Sequence, residues 1–348
     1  MRLILHIGTP KTGTSHLQAS LESNQKTLLE NGILYPKAGR NFDTRKVPHH
    51  VGLRFACKPM EIKTSPLMRR FGLRSDDARR AFTRKLWQDL SLEIKNATDA
   101  GASTVIMSDE ALFSFSDERM IDTLVQNIRP MFSEITIVAF IRRPSNVMQG
   151  AYSQRIKMES TLTWSEFMVN QLKTSLYLTK LKLWQSHLSP NEMIVRPTQN
   201  DIIERFFETI GINAHIQPAP TGANRSLSPM GISVLRAINE KAAQHNVKRP
   251  ASIRRAFENN ATGQKWVPST TDRSAVDRHY KSEIEEVTSI FGMGPADCRI
   301  IHDWFSESDH PTKPLSAKEI LETGVGEMAD AILEISNSNR REVLKPIA

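Results

Sequence analysis

The chain has 348 residues, enough for one large α/β domain or two smaller ones with a substantial core. Its 39% hydrophobic and 24% charged residues are typical of a soluble globular protein, and its formal net charge of +8 favours anionic ligands. No run of eighteen apolar residues occurs, so we expect no membrane-spanning segment. The two cysteines, Cys57 and Cys298, exclude a disulfide scaffold and a cysteine-rich zinc site. A core strand is predicted directly after Met1 without a signal-peptide pattern, so we expect a cytoplasmic protein.

The amino-terminal segment predicts a buried strand, a phosphate-binding loop and a helix. Residues 2–7 are mostly apolar, and leucines follow the loop at helical spacing. The loop Gly8-Thr9-Pro10-Lys11-Thr12-Gly13-Thr14-Ser15 differs from the nucleotide-hydrolysing pattern, in which the lysine follows the second glycine. Thr14 occupies the place of that lysine, and Lys11 lies three positions earlier. A turn that opens a helix in this way can bind one anion through backbone N–H groups and the helix dipole.

Residues 37–75 predict an insertion rich in proline, lysine and arginine, which follows a short extended segment over 32–36. Over 37–85 there are fourteen basic and four acidic residues, an excess of ten. A basic cleft there would attract polyanionic ligands, although a solvated basic surface would produce the same pattern. Few aromatic residues and no recognisable motif accompany these charges, so we expect no nucleic-acid partner. His49 and His50 lie in the insertion, and the ordinary histidine pKa suits proton transfer at neutral pH.

The middle of the chain predicts a parallel sheet. Residues 76–97 have helical periodicity, and 103–107 and 135–141 are β-branched apolar runs. Continuous apolar strands between helices are typical of parallel strands covered on both faces. Asp109 and Glu110 directly follow the first of these strands, at the end where ligands bind in such sheets. Glu110 is therefore a candidate general base; the alternative is a charged residue at a helix start, facing the helix dipole. Asp109 is a candidate magnesium ligand, so a magnesium-dependent NTPase is an alternative function.

The remaining elements are mainly helical. Pro144 suits the first turn of a helix that runs through Met158. A strand is predicted over 192–195, followed by a helix over 202–210 that Gly211 ends. Further helices are predicted over 230–243, 251–257, 273–291 and 316–335.

The loop with its lysine before the glycine resembles the 5′-phosphosulfate-binding loop of sulfotransferases that use 3′-phosphoadenosine 5′-phosphosulfate (PAPS), including bacterial ones. The resemblance implies a P-loop NTPase-like α/β fold, with a central parallel sheet flanked by helices and a helical carboxyl-terminal half. It also implies that Lys11 contacts the oxygen that bridges sulfate and phosphate, and that Thr14, Ser15 and the loop amides bind the 5′-phosphate. The implied cofactor-binding residues of the loop are Pro10, Lys11, Thr12, Gly13, Thr14 and Ser15.

A second part of the resemblance follows the strand over 135–141. The family has an arginine at this strand end, a proline two positions later and a serine eight positions after the arginine, which together hold the 3′-phosphate. Arg142 and Pro144 match, but position 150 is glycine. Ser153, one helical turn further on, is the predicted replacement, with Ser145 as the alternative. An arginine fork at this point can hold a phosphate group in a bidentate manner.

The resemblance implies transfer of a sulfuryl group from PAPS to a hydroxyl or amine, with a carbohydrate or glycolipid as the expected acceptor. Branches of the family use either glutamate or histidine as the base, so Glu110 and His50 are candidate catalytic residues beside Lys11. No metal is expected, because transfer from PAPS does not call for magnesium in this family. The resemblance predicts a sulfotransferase domain over 1–295 and a helical extension over 296–348. The alternatives are a P-loop kinase or NTPase and a non-catalytic nucleotide-binding protein of the same fold.

Overall fold

The computed structural model describes residues 1–42, 45–189, 192–199, 201–220, 226–261 and 264–306, together with positions 324 and 328. The chain divides into two compact units. The helix predicted over 316–335 lies outside the described residues, apart from positions 324 and 328. The first unit comprises Met1–Arg142, Leu176–Pro220 and Glu283–Ile300, and the second comprises Arg143–Ser175, Thr221–Ser282 and Ile301–Ala348.

The first unit contains a parallel sheet of five strands, which confirms the α/β class predicted from the apolar runs. The central strand pairs on one side with the strand that precedes Asp109 and on the other with the strand that precedes Arg142. The carboxyl ends of these three strands therefore lie at one edge of the sheet, where ligands bind in open α/β folds. In spatial order the strands are β2 Ile33–Leu34, β5 Thr104–Ser108, β1 Arg2–His6, β6 Glu134–Ile141 and β7 Met193–Pro197.

The core of this unit joins the sheet to the helices that flank it. Every residue of β6 from Ile135 to Ile141 is buried, as expected for a strand covered on both faces. Leucines of α1 Thr14–Ser23 pack with β1, β6 and α10 Ile202–Ile210 in one apolar cluster. Gly211 ends α10 with a φ of 68°, which confirms the predicted stop.

Residues 37–75 contain regular elements that the sequence analysis did not predict. They form the hairpin strands β3 Asn41–Phe42 and β4 Arg45–Lys46 and two short helices, α3 Val51–Cys57 and α4 Pro66–Arg70. These elements enclose a small apolar core. Burial of this core stabilises residues 37–75, which by composition resemble a basic loop. The buried members of this core are Val51, Phe55, Met68, Phe71 and Leu73.

Some of the basic residues in this part of the chain are structural. Arg40 is fully buried, forms an ion pair with Glu22, and lies over the ring of Tyr35 at 4.4 Å from its centroid. Arg79 is 2% exposed and donates to four backbone carbonyls between Lys58 and Ile62 at 2.9–3.1 Å. Part of the local excess of basic residues is therefore buried and structural, so a solvated surface does not account for all of it.

The other helices of the first unit surround this framework. The helix predicted over 76–97 is confirmed, and Ser75 caps it by accepting the N–H of Ala78 at 3.2 Å. No described helix is long and apolar enough to cross a membrane. The further helices with residues in this unit are α2 Gln25–Glu30, α5 Asp76–Asp99, α6 Glu118–Ile128, α9 Leu178–Gln185, α14 Pro295–Phe305 and the 3-10 helices Glu110–Leu112 and Arg129–Met131.

The described part of the second unit is helical, as predicted for the carboxyl-terminal half. Asp277, on α13 Thr270–Ile290, fixes the start of α7 Pro144–Lys157 by accepting from the Arg143 side chain at 2.8 Å and from the backbone N–H of Ser145 at 2.8 Å. The described helices of the second unit are α7 Pro144–Lys157, α8 Trp164–Gln171, α11 Pro229–Gln244, α12 Ala251–Asn259 and most of α13 Thr270–Ile290.

Candidate functional site

The loop between β1 and α1 contains three residues with left-handed backbone conformations. Gly8, Lys11 and Gly13 have φ values of 75°, 69° and 86°. Glycine adopts this region freely, but for a residue such as lysine it costs about 1–2 kcal/mol. Backbone strain of this kind is concentrated at ligand-binding sites, where the surrounding structure enforces it. Gly13 is also the N-cap of α1, so no side chain covers the first turn of that helix.

Three buried threonines brace the loop. Thr9 donates its hydroxyl to the carbonyl of Phe140 in β6, and Thr12 donates its hydroxyl to the carbonyl of Thr9 at 2.8 Å. The hydroxyl oxygens of Thr12 and Thr14 are 3.3 Å apart. Thr14, which was predicted to bind a phosphate, is 1% exposed, whereas Ser15 is exposed. Ser15 is therefore the more accessible of the two predicted hydroxyl ligands.

The first turn of α1 has the donors that an anion needs. The N–H groups of Thr14 and Ser15 have no backbone acceptor among the described residues. The first N–H groups of a helix lack acceptors within the helix, and the helix dipole adds partial positive charge there. No acidic residue lies in this turn to compete for the donors. The arrangement suits a phosphate or sulfate group.

Arg142 contacts the loop from the end of β6. Its Nη1 donates to the carbonyl oxygen of Lys11 at 2.7 Å, which ties the left-handed lysine to the neighbouring strand. Tyr177 orients the arginine backbone: its hydroxyl accepts from the Arg142 N–H at 3.0 Å and donates to the Arg142 carbonyl at 2.9 Å. Partial burial lowers the pKa of Arg142, but a guanidinium stays charged at physiological pH. Lys11 and Arg142 thus bring two cations to one edge of the sheet.

Glu110 follows β5, on the opposite side of β1 from Arg142. A Cβ atom on Gly8 would lie 2.6 Å from the Cα of Glu110, so the loop approaches this residue more closely than any side chain would allow. Partial burial raises the pKa of Glu110, against the opposing effect of the nearby Lys11 ammonium. Asp109 raises this pKa further and Arg54 lowers it. A carboxyl group with a raised pKa beside a cationic loop has the properties of a general base.

The contacts of Asp109 are those of a buried capping residue. It is 2% exposed, and its Oδ1 accepts the N–H of Ala111 at 3.3 Å as a cap. Its Oδ2 lies 3.7 Å from Nε of Arg54. Among the described residues, no three His, Cys, Asp or Glu side chains are grouped so that they could hold a metal ion. These contacts favour a capping role over the magnesium-binding role of the NTPase alternative.

His50 ties the basic insertion to the strand that carries Glu110. Its Nδ1 accepts the N–H of Ser108 at 3.1 Å, and its Nε2 donates to the carbonyl of Pro36 at 3.0 Å. The side chain is fully buried, and burial holds its pKa well below 6.5. Both ring nitrogens are engaged, so this environment argues against His50 as the base. His49 is half-buried near Asp109, and burial also lowers its pKa.

A buried polar triad joins β1, β5 and α1, through contacts that the sequence pattern does not predict. His6 Nδ1 and Gln18 Nε2 lie 2.9 and 3.0 Å from the hydroxyl oxygen of Ser108. Burial lowers the pKa of His6 to about 3, so the ring is neutral. The triad holds the carboxyl ends of β1 and β5 together, next to the loop that follows β1. Two residues carry a signal for this role in the sequence: His6, a histidine inside an apolar strand, whose interpretation as a hydrogen-bonded core residue is confirmed, and Ser108, a polar residue at a strand end.

Two of the predicted 3′-phosphate residues lie in the second unit. The Ser145 hydroxyl already donates to Asp277 at 2.9 Å, beside the buried Arg143. That contact makes Ser145 a poor substitute for the expected serine. Ser153 is half-buried on α7, and its phosphate-binding role stays a prediction.

Comparison of the chain with models of known protein families, with curated proteins and with solved structures gives no match. The predicted site residues that the first unit brings together are those of the loop, Glu110 and Arg142.

Proposed function

We propose that this chain is a sulfotransferase that moves a sulfuryl group from PAPS to a hydroxyl or amine, on a P-loop-like α/β fold. The observation that carries the proposal is the environment of Lys11. This residue is left-handed, its carbonyl is held by Arg142, and its charge acts on Glu110. One anion-binding helix start is thus accompanied by two cations and a carboxyl group with a raised pKa.

The residues present fit PAPS by charge and by donor type. The N–H groups at the start of α1 and the exposed Ser15 hydroxyl suit the 5′-phosphate. Arg142 uses one of its five side-chain N–H donors on the loop, and the others suit the 3′-phosphate. When bound, PAPS supplies the sulfuryl group.

Lys11 and Glu110 have complementary roles in the proposed transfer. The Lys11 ammonium stabilises the negative charge that develops on the bridging oxygen as the bond from that oxygen to sulfur breaks. Glu110 takes the proton of the acceptor hydroxyl or amine as the new bond to sulfur forms. The carboxyl must be ionised for this step, so activity should rise with pH through the raised pKa of Glu110.

The proposal also includes the chemical class of the acceptor. A carbohydrate or glycolipid is the class to test first, because it follows from the resemblance of the loop and offers many hydroxyl groups. The insertion over 37–75 lies beside the candidate base, since His50 joins it to Ser108. Residues of the insertion are therefore the first place to look for acceptor specificity.

The NTPase alternative is less well supported. A nucleotide-hydrolysing loop needs its lysine at the position of Thr14, which is a buried threonine here. Asp109, the candidate magnesium ligand, caps a turn instead. Magnesium dependence of nucleotide binding separates the two functions.

Transfer of radioactive sulfate from labelled PAPS to a panel of carbohydrate and glycolipid acceptors tests the proposal. We expect Lys11→Ala and Glu110→Gln each to lower the rate by about 100-fold or more, in the range for loss of electrostatic stabilisation or of a general base. Glu118→Gln, which removes an exposed carboxylate shortly after Glu110, is the matched control and should keep the wild-type rate. Glu110→Gln should still bind 3′-phosphoadenosine 5′-phosphate. Nucleotide binding without turnover that depends on Glu110 would favour the non-catalytic alternative.

A further inference from the structure

A cavity of about 340 Å³ in the first unit is lined in part by basic side chains that lie outside the loop and are neither Glu110 nor Arg142. Arg80 and Arg84 are four residues apart on α5, and Thr83 lies on the same face of that helix. Lys58, which directly follows α3, lines the cavity as well. Two guanidinium groups, an ammonium and the hydroxyl-bearing side chains of two threonines thus line one space. The remaining lining residues are Ala56, Cys57, Pro59 and Met60, and the second threonine is Thr123.

Arg79 does not line this cavity but supports the turn that does. Its guanidinium is almost fully buried and donates to the carbonyls of Lys58, Pro59, Met60 and Ile62. These bonds hold the turn that carries Lys58. Among the described residues, Arg79 forms an ion pair with the largely exposed carboxylate of Asp76, at 3.4 Å. A buried guanidinium bonded mainly to carbonyls keeps most of its positive field.

The cations around the cavity are only partly neutralised. Arg80 pairs with the exposed Asp77 at 2.9 Å. In the described part of the chain, neither Lys58 nor Arg84 forms an ion pair, and Lys58 Nζ donates to the Lys63 carbonyl at 2.9 Å. Partial burial and the charge of Arg79 both lower the pKa of Lys58, which reflects a locally positive field. The three lining cations are Lys58, Arg80 and Arg84; together with Asp77, the ion-pair partner of Arg80, they carry a net charge of +2.

We propose that this cavity binds a tetrahedral oxyanion ester, a sulfate or phosphate group carried on a molecule of sugar size. Guanidinium, ammonium and hydroxyl groups donate to such oxygens, and the arginines favour them over a neutral ligand. The volume lies at the lower end of the range of small-molecule sites, which matches a monosaccharide ester. The site shares no residue with the loop, Glu110 or Arg142, so its test is distinguishable from that of the sulfotransferase proposal.

Calorimetric titration with glucose 6-sulfate, glucose 6-phosphate and unmodified glucose tests the site. The variants are Lys58→Met and Arg84→Ala, each of which removes one cation from the cavity. Lys95→Ala is the matched control, because it removes an exposed cation from α5 more than two turns beyond the cavity. Lys11→Ala tests whether the ester binds at the loop instead. Thermal unfolding of every variant establishes that the fold is retained.

We expect at least one ester to bind the wild type while glucose does not, and each cavity variant to weaken binding by about tenfold or more. Lys95→Ala and Lys11→Ala should leave the affinity within about twofold of wild type, a difference under 0.5 kcal/mol. Preference for glucose 6-sulfate or glucose 6-phosphate identifies the ester. The proposal is overturned if neither ester binds more tightly than about 1 mM, or if both cavity variants bind like the wild type. It is also overturned if Lys11→Ala abolishes binding while Arg84→Ala retains it.

Discussion

Replacement of Gly8 by alanine tests the close approach between the loop and the strand end that carries Glu110. In Gly8→Ala the new Cβ would meet the Cα and Cβ atoms of Glu110 at 2.6 and 3.1 Å, and the φ of 75° is strained for alanine. The left-handed strain costs about 1–2 kcal/mol and the overpacking about 1–3 kcal/mol. Gly211→Ala is the matched control, since it has a φ of 68° with no neighbouring atom within 4 Å. The control should lose only the strain term.

Urea unfolding followed by circular dichroism measures this difference. We expect the free energy of unfolding to fall by about 1–3 kcal/mol more in Gly8→Ala than in Gly211→Ala. Relief of the contact moves Glu110 by roughly 1 Å relative to the loop, a displacement that can cost about 100-fold in turnover. Equal losses of stability in the two variants, with unchanged turnover in Gly8→Ala, would refute the close approach.

Three further predictions concern charged and titratable side chains. Arg142→Ala should weaken binding of 3′-phosphoadenosine 5′-phosphate by about tenfold or more in calorimetry, with only partial recovery in Arg142→Lys, because lysine lacks the bidentate fork. The pKa of His6 is about 3 in the folded chain against 6.5 for an ordinary histidine, so the unfolded chain binds more protons between these values. The contribution of His6 to stability should therefore fall by about 2 kcal/mol from pH 7 to pH 5 in urea titrations, and His6→Gln should reduce the total dependence by that amount. His50→Gln should lower the unfolding temperature while the acidic limb of the pH–rate profile, assigned to Glu110, stays in place; loss of that limb would restore His50 as the base.

The sheet and several element boundaries could be predicted because their causes are local. A strand buried on both faces must be apolar throughout, which is why 135–141 predicts β6 so closely. Gly211 marks a helix end because glycine adopts the left-handed conformation at least cost. The helix α6 was missed although its signal is present: Asp117 caps it, and Ile121, Leu124 and Ile128 follow at helical spacing.

The long-range contacts could not be predicted, because they join residues far apart in the chain. The role of His50 depends on backbone groups of Pro36 and Ser108, and no side-chain pattern records such partners. The pair formed by Arg143 and Asp277 spans 134 positions. Sequence spacing placed Arg142 at a strand end, but only the fold brings its guanidinium to the Lys11 carbonyl. The positions of Arg142 and Glu110 at strand ends were thus predictable, whereas the contacts that position their side chains were not.

Calorimetric titration of 3′-phosphoadenosine 5′-phosphate and, separately, ADP, both without magnesium, tests the central claim most directly. The proteins are the wild type, Lys11→Ala and Arg142→Ala. We expect tight binding of the first ligand to the wild type, little binding of ADP, and a large loss of affinity in Arg142→Ala. Equal binding of both ligands, or a magnesium-dependent preference for ATP, would contradict the sulfotransferase proposal and favour a nucleotide-hydrolysing function for the loop.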